Sequence, residues 1–185
     1  MRKYPRSKLE EAFFLKKDID ILKKLKEMQR LKETKEALAE ASGIHDDMVL
    51  QKLVDLDIRP ESVASVSVVP LVIVAWADGE MEAKEKKAVL SAVEKLGWTK
   101  DGWDYSLLNR WLEHKPAVSL LDAWMHYVGA LCKRMSDEEV ERFKEEIMSH
   151  AKTVALACGG VLGIGKISGE ESKLLKKLSS AFAGC

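Results

Sequence analysis

The chain reads as an all-α protein: an internally duplicated, pseudo-twofold helical bundle preceded by a long N-terminal helical arm. Three observations predict this. Apolar residues recur at helical spacing along most of the chain, and no segment alternates with period two long enough to make a strand. Two stretches, residues 74–85 and 160–171, align without a gap, and each encodes the end of one helix, a turn and the start of the next. The first 41 residues form a charged segment with a helical apolar pattern of their own.

That first segment predicts one helix over 7–41, stopped at Gly43. Its apolar residues Ile19, Leu22, Leu25, Met28 and Leu31 repeat every third position. Such a stripe drifts around a helix instead of holding a heptad seam, which predicts a helix that touches several surfaces in turn or is partly free. A short helix follows near 46–56, with Val49, Leu50, Leu53 and Leu56. Pro60 opens the next, where its missing N–H costs nothing. Pro70 should kink or restart the chain inside the apolar run from Val63 to Ala77.

From Ala83 the helical period runs to Leu96, with Gly97 as the stop, and residues 104–114 hold Leu107, Leu108, Trp111 and Leu112. Ser119 and Asp122 have capping-box spacing, although Pro116 offers an earlier start. Ser136 with Glu139 opens a long helix to about Gly163, and Ser168 with Glu171 opens the last, which ends near Phe182. The boundary expected between arm and bundle lies at 59/60, giving an arm with a short helix over 1–59 and a bundle over 60–185.

Composition limits function. Hydrophobic residues at 46% suffice for one buried core, and 30 basic against 30 acidic residues leave no overall field to draw in nucleic acid. The charge is uneven: residues 1–41 carry 12 basic and 8 acidic residues, which suits an acidic protein partner for the arm or a simply solvated face. Val63–Ala77, interrupted by serines and Pro70, is too short to span a bilayer. Cys132, Cys158 and Cys185 form no CxxC motif and are expected to be reduced thiols in a cytoplasmic protein. Nothing in the sequence assigns an oligomeric state.

In the aligned stretches VAWADGEMEAKE (74–85) and GVLGIGKISGEE (160–171), a helix end runs to a glycine, Gly79 or Gly165. A polar residue, an apolar one (Met81, Ile167), a cap position (Glu82, Ser168) and a glutamate at the third helical position (Glu85, Glu171) follow. A left-handed glycine ends one helix, the apolar residue fills the core and the glutamate caps the next. The segments VPLVIVAWADGEMEAKEKKAVL and ACGGVLGIGKISGEESKLLKKL resemble the two halves of the TerB-like (tellurite-resistance) domain, over residues 65–183. That resemblance implies a helical bundle without catalytic activity, a role in tellurite or chemical stress, and an acidic surface able to bind a divalent metal such as Ca²⁺ or Mg²⁺. Matched to this chain, the implied carboxylates are Asp78, Glu85 and Glu171. Ile164 stands where an aspartate would mirror Asp78, so the first turn is the better place for a ligand.

The residues themselves allow two readings of that turn. Asp78, Glu82, Glu85 and Glu171 supply hard oxygen ligands, or else Asp78 closes a helix and Glu85 caps one. The turn is not an EF-hand, since Ala83 and Val89 occupy the glycine and bidentate-glutamate positions. Residues 160–166 match GxxxxGK, but Ile167 replaces the Mg²⁺-holding hydroxyl and no strand precedes the loop. Ala155, Gly159 and Gly163 form a small-residue face for close helix packing. Asp122 and His126 share a helix face without a nucleophile beside them. Five tryptophans, Trp76, Trp98, Trp103, Trp111 and Trp124, read as core, with Trp98 or Trp103 becoming an interaction candidate if exposed. No catalytic set and no cofactor other than that metal emerges. The two functions left are a metal-binding stress module and a scaffold that docks a protein through its arm.

Overall fold

The computed structural model describes the backbone of residues 8–158 and 167–185, with side chains at Lys16, from Asp20 to Ala157 and from Ile167 onward. The second aligned turn with Gly165, the Gly160–Lys166 loop, Ile164, Gly159, Gly163 and the Cys158 side chain therefore lie outside the described residues, as does that of Ile19.

The described chain is all helical. In order come α1 (Lys8–Ser42), α2 (Asp47–Asp55), a 3₁₀ segment (Pro60–Val68), α3 (Val69–Ala75), α4 (Ala83–Lys95), α5 (Trp103–Glu113), α6 (Ser119–Cys132), α7 (Asp137–Cys158) and α8 (Gly169–Ser180). Gly43, Gly79 and Gly97 all have positive φ, at 70°, 96° and 84°. The left-handed turn comes without a Cβ penalty at each. Pro70 sits in the first turn of α3, directly after the 3₁₀ segment, where a residue with no N–H to give restarts the helix. Upstream of it, the Ser65 and Ser67 hydroxyls donate to the carbonyls of Ser62 and Ala64, three residues back, at 2.6 and 2.7 Å. Asp104 on α5 accepts the Ser65 N–H at 2.9 Å and ties this segment across the bundle.

α3 is the hub. Six of its seven residues, Val69, Pro70, Leu71, Val72, Val74 and Ala75, are buried, as befits a helix that is apolar on all sides. α4, α5, α6, α7 and α8 pack around it. Leu38, Leu50 and Leu53 belong to the same buried cluster as Leu108, Trp124 and Leu178, so α2 and the end of α1 share the bundle's core. The 59/60 boundary does not separate two cores. No single described helix is long and apolar enough to cross a membrane. The bent pair Asp47–Asp55 and Pro60–Ala75 meets that test on length and composition, across a 90° break, and Leu50, Leu53, Val66 and Val72 within it are buried in the fold.

Two expectations are corrected. Ser119 does not cap α6: Val118 is the residue before the helix, it has helical dihedrals, and no side-chain cap bond forms there. The Asp122 carboxylate is drawn instead to Lys52 on α2 and to His126 one turn on. The cysteines are not all reduced thiols, because Cys132 and Cys185 form a disulfide with their Cα atoms 5.2 Å apart. The turn after α8 buries Phe182, whose ring meets Trp124 and Phe143 edge-on at 6.1 and 5.7 Å, and so folds Cys185 back onto the end of α6. Disulfides persist in oxidising surroundings, which removes the thiol argument for a cytoplasmic location.

Candidate functional site

At the first turn, α3 ends on Trp76, whose indole N–H donates to the Trp111 carbonyl at 2.8 Å and fixes the helix end against α5. The Gly79 N–H donates to the Trp76 carbonyl, and Asp78 Oδ1 accepts the Glu80 N–H at 3.1 Å. Met81 packs on the core. Glu85, only 5% exposed, accepts the Glu82 N–H through Oε2 at 2.8 Å and caps α4. Burial pushes the Glu85 carboxyl above its ordinary range, and the charges of Asp78 and Glu82 push it further the same way. The bond from the Glu82 amide partly offsets both.

Lysines surround these carboxylates. Lys84 pairs with Glu82 at 2.9 Å and Lys86 with Glu113 at 3.3 Å. The Lys115 ammonium lies 6.0 Å above the Trp76 ring and 3.5 Å from where a side chain at position 79 would begin. Anything larger than glycine there would meet both a positive φ and that ammonium.

Glu171 does for α8 what Glu85 does for α4. It is equally buried and accepts the Ser168 N–H at 2.6 Å, while Ser168 Oγ accepts the Glu171 N–H at 3.1 Å. The structure thus places Asp78, Glu82 and Glu85 around one turn and Glu171 at the start of another helix. Among the described residues, no group of three or more His, Cys, Asp or Glu side chains is arranged to hold a metal ion.

A second surface lies on α1, and periodicity anticipates only part of it. A three-residue repeat falls back by roughly 60° per step on a helix, so a stripe facing the core at Leu31 has turned roughly 180° away by Leu22. Leu31 is half-buried and Leu38 fully buried, whereas every residue from Asp20 to Arg30 is exposed. Ile21, Leu22, Leu25 and Met28 reach 46%, 58%, 55% and 66% exposure, a contiguous apolar face open to solvent. Ile21 falls outside the three-residue repeat, and only the face that the folded core leaves uncovered reveals its membership. A groove of about 380 Å³ between α1 and α2 adjoins this face, lined by Met28, Leu31, Ala39 and Leu50, with the ion pairs Lys32–Glu36 and Lys35–Asp47 at its edge. Trp103, at the first turn of α5, is 67% exposed and so joins the interaction candidates, while Trp124 and Trp111 are buried and Trp98 is half-buried.

Comparison of the chain with protein-family models, with curated proteins and with solved structures finds no match in any of the three.

Proposed function

We propose that this is a non-catalytic helical protein that docks another protein through α1, with the bundle as its support. The observation that carries this reading is the joint exposure of Ile21, Leu22, Leu25 and Met28 on a helix anchored elsewhere by buried Leu38. A contiguous apolar face on an otherwise charged helix gains free energy when covered. The test is a photo-crosslinking amino acid placed at Leu25 and, as a control, at exposed Lys100. Covalent capture of another polypeptide from position 25 and not from 100 is the expected result; no capture from 25 sinks the reading.

The bundle is read as TerB-like and internally duplicated. The left-handed Gly79 turn and the matching buried glutamate caps at Glu85 and Glu171 support that reading. A role in tellurite or chemical stress comes with the resemblance, and a deletion strain with unchanged tellurite tolerance would remove it. A second reading, weak Ca²⁺ or Mg²⁺ binding at Asp78, Glu82 and Glu85, has one observation in its favour: Asp78 and Glu82 lie near enough to raise the Glu85 pKa. Titration calorimetry decides it, through heat that is present in the native chain and absent in Asp78→Asn.

A further inference from the structure

The geometry points to an amphipathic helix with acidic edges, carried by another protein, as the occupant of the α1 face. This inference rests on the docking role proposed above. The apolar face and the groove form one continuous track, because Met28 belongs to both. From Ile21 to Ala39 the track runs about 27 Å at 1.5 Å per residue, the length of roughly five helical turns. A helix laid along α1 covers both parts. A flat bilayer reaches the exposed face but not the concave groove between α1 and α2.

Charge selects among helices. Lys24 and Lys26 flank Leu25 in sequence, and at about 100° per residue they border the apolar face on its two sides. In the groove half of the track the charges are balanced, Lys32 against Glu36 at 3.8 Å and Lys35 against Asp47 at 2.9 Å, so Lys24 and Lys26 set the sign of the edges. Of the acids beside the exposed half of the track, Asp20 and Glu27 turn roughly 140–160° away from Leu25, onto the opposite side of the helix. A second copy of α1 paired antiparallel about Leu25 would set Lys24 against Lys24 and Lys26 against Lys26. Self-association is therefore disfavoured, and carboxylates along both edges of the incoming helix complement the site.

Two fluorescent amphipathic peptides long enough to span the track, alike in their leucine face but edged with glutamate or with lysine, test this against the full chain by anisotropy. Vesicles of mixed phosphatidylserine and phosphatidylcholine, and light scattering of the protein alone, complete the set. The expected result is binding of the glutamate-edged peptide at least about tenfold tighter than the lysine-edged one, weakening as salt rises. Leu25→Glu should lose that binding, and Lys24→Glu with Lys26→Glu should reverse the preference. The exposed positions of all three leave folding intact. Equal binding of both peptides, no binding of either, indifference to Leu25→Glu, vesicle binding alone, or a dimer abolished by Leu25→Glu would each overturn the inference. Capture of a protein from position 25 without any peptide preference removes the acidic helix and leaves the docking role standing; loss of both removes the docking role itself.

Discussion

Glu85 shows how one carboxylate can be read as a ligand in sequence and act as a cap in the fold. Its oxygen satisfies the Glu82 amide at the start of α4, and burial raises its pKa above the ordinary 4.5. In the unfolded chain the group ionises near that ordinary value. Between the two values the folded state holds the extra proton, so the contribution of Glu85 to stability falls as pH rises through that window. Glu85→Gln keeps an accepting oxygen and removes the titration. Denaturant unfolding should show its stability relative to the native chain improving from pH 4 to pH 7, whereas Glu85→Ala, which leaves the amide unpaired, should cost about 1 kcal/mol at neutral pH. A flat difference across that range for the glutamine variant would mean that the carboxyl is not desolvated. Asp122 has the opposite sign. The hydrogen bond from Lys52, followed by the charges of His126, Lys52 and Lys177, lowers its pKa, so its contribution is present above the ordinary carboxylate range and fades as pH falls through the depressed value.

At the scale of elements, glycine punctuation made the helix ends after α1 and α4 and the turn after α3 legible, and Ser/Glu spacing did the same for the starts of α7 and α8. The end of α2 was expected near 56 with no stop signal to mark it, because its left-handed residue is an aspartate. Asp57 has φ 60°, its N–H donates to Val54, and the Ile58 N–H returns to the Leu53 carbonyl at 3.0 Å, closing a Schellman turn. Aspartate tolerates that conformation better than most residues, and Arg59 and Arg110 pair with its carboxylate at 3.7 and 3.4 Å. Both pairs are exposed and add little. Asp57→Gly should therefore change stability by less than about 0.5 kcal/mol, as relief of the backbone offsets loss of the pairs. Asp57→Val, with a branched Cβ, should cost about 1–2 kcal/mol by the same denaturant measurement. The capping spacing at Ser119 misleads for a related reason: spacing alone does not show that a partner such as Lys52, 70 residues away, claims the Asp122 carboxylate. The exposed face of α1 was half legible, since drift of the stripe is a sequence property but the direction of the core is not.

For the whole molecule, one covalent link and one exposed stretch of helix set what is shared and what is separable. The Cys132–Cys185 disulfide closes a segment with a sequence separation of 53 and holds the Phe182 turn over Trp124. Spacing could not reveal it, because the pairing depends on α8 bringing the chain back to α6. Restricting the unfolded chain over such a loop is worth about 2–4 kcal/mol, so Cys185→Ser and a dithiol-treated native chain should lose similar stability within that range. No loss in either would mean that the link is absent in solution. Along α1, Leu38 and Ala39 belong to the buried core, whereas every residue from 20 to 30 is exposed. Leu22→Ser with Leu25→Ser should therefore leave the thermal midpoint and the urea m-value close to those of the native chain. Leu38→Ala, which empties a fully buried site, should cost about 2–5 kcal/mol. If that double variant instead unfolds as easily as Leu38→Ala, the Leu22–Leu25 face belongs to the core and cannot serve as a docking face. If it keeps its stability and loses capture at the α1 face, folding and docking reside in different parts of one helix.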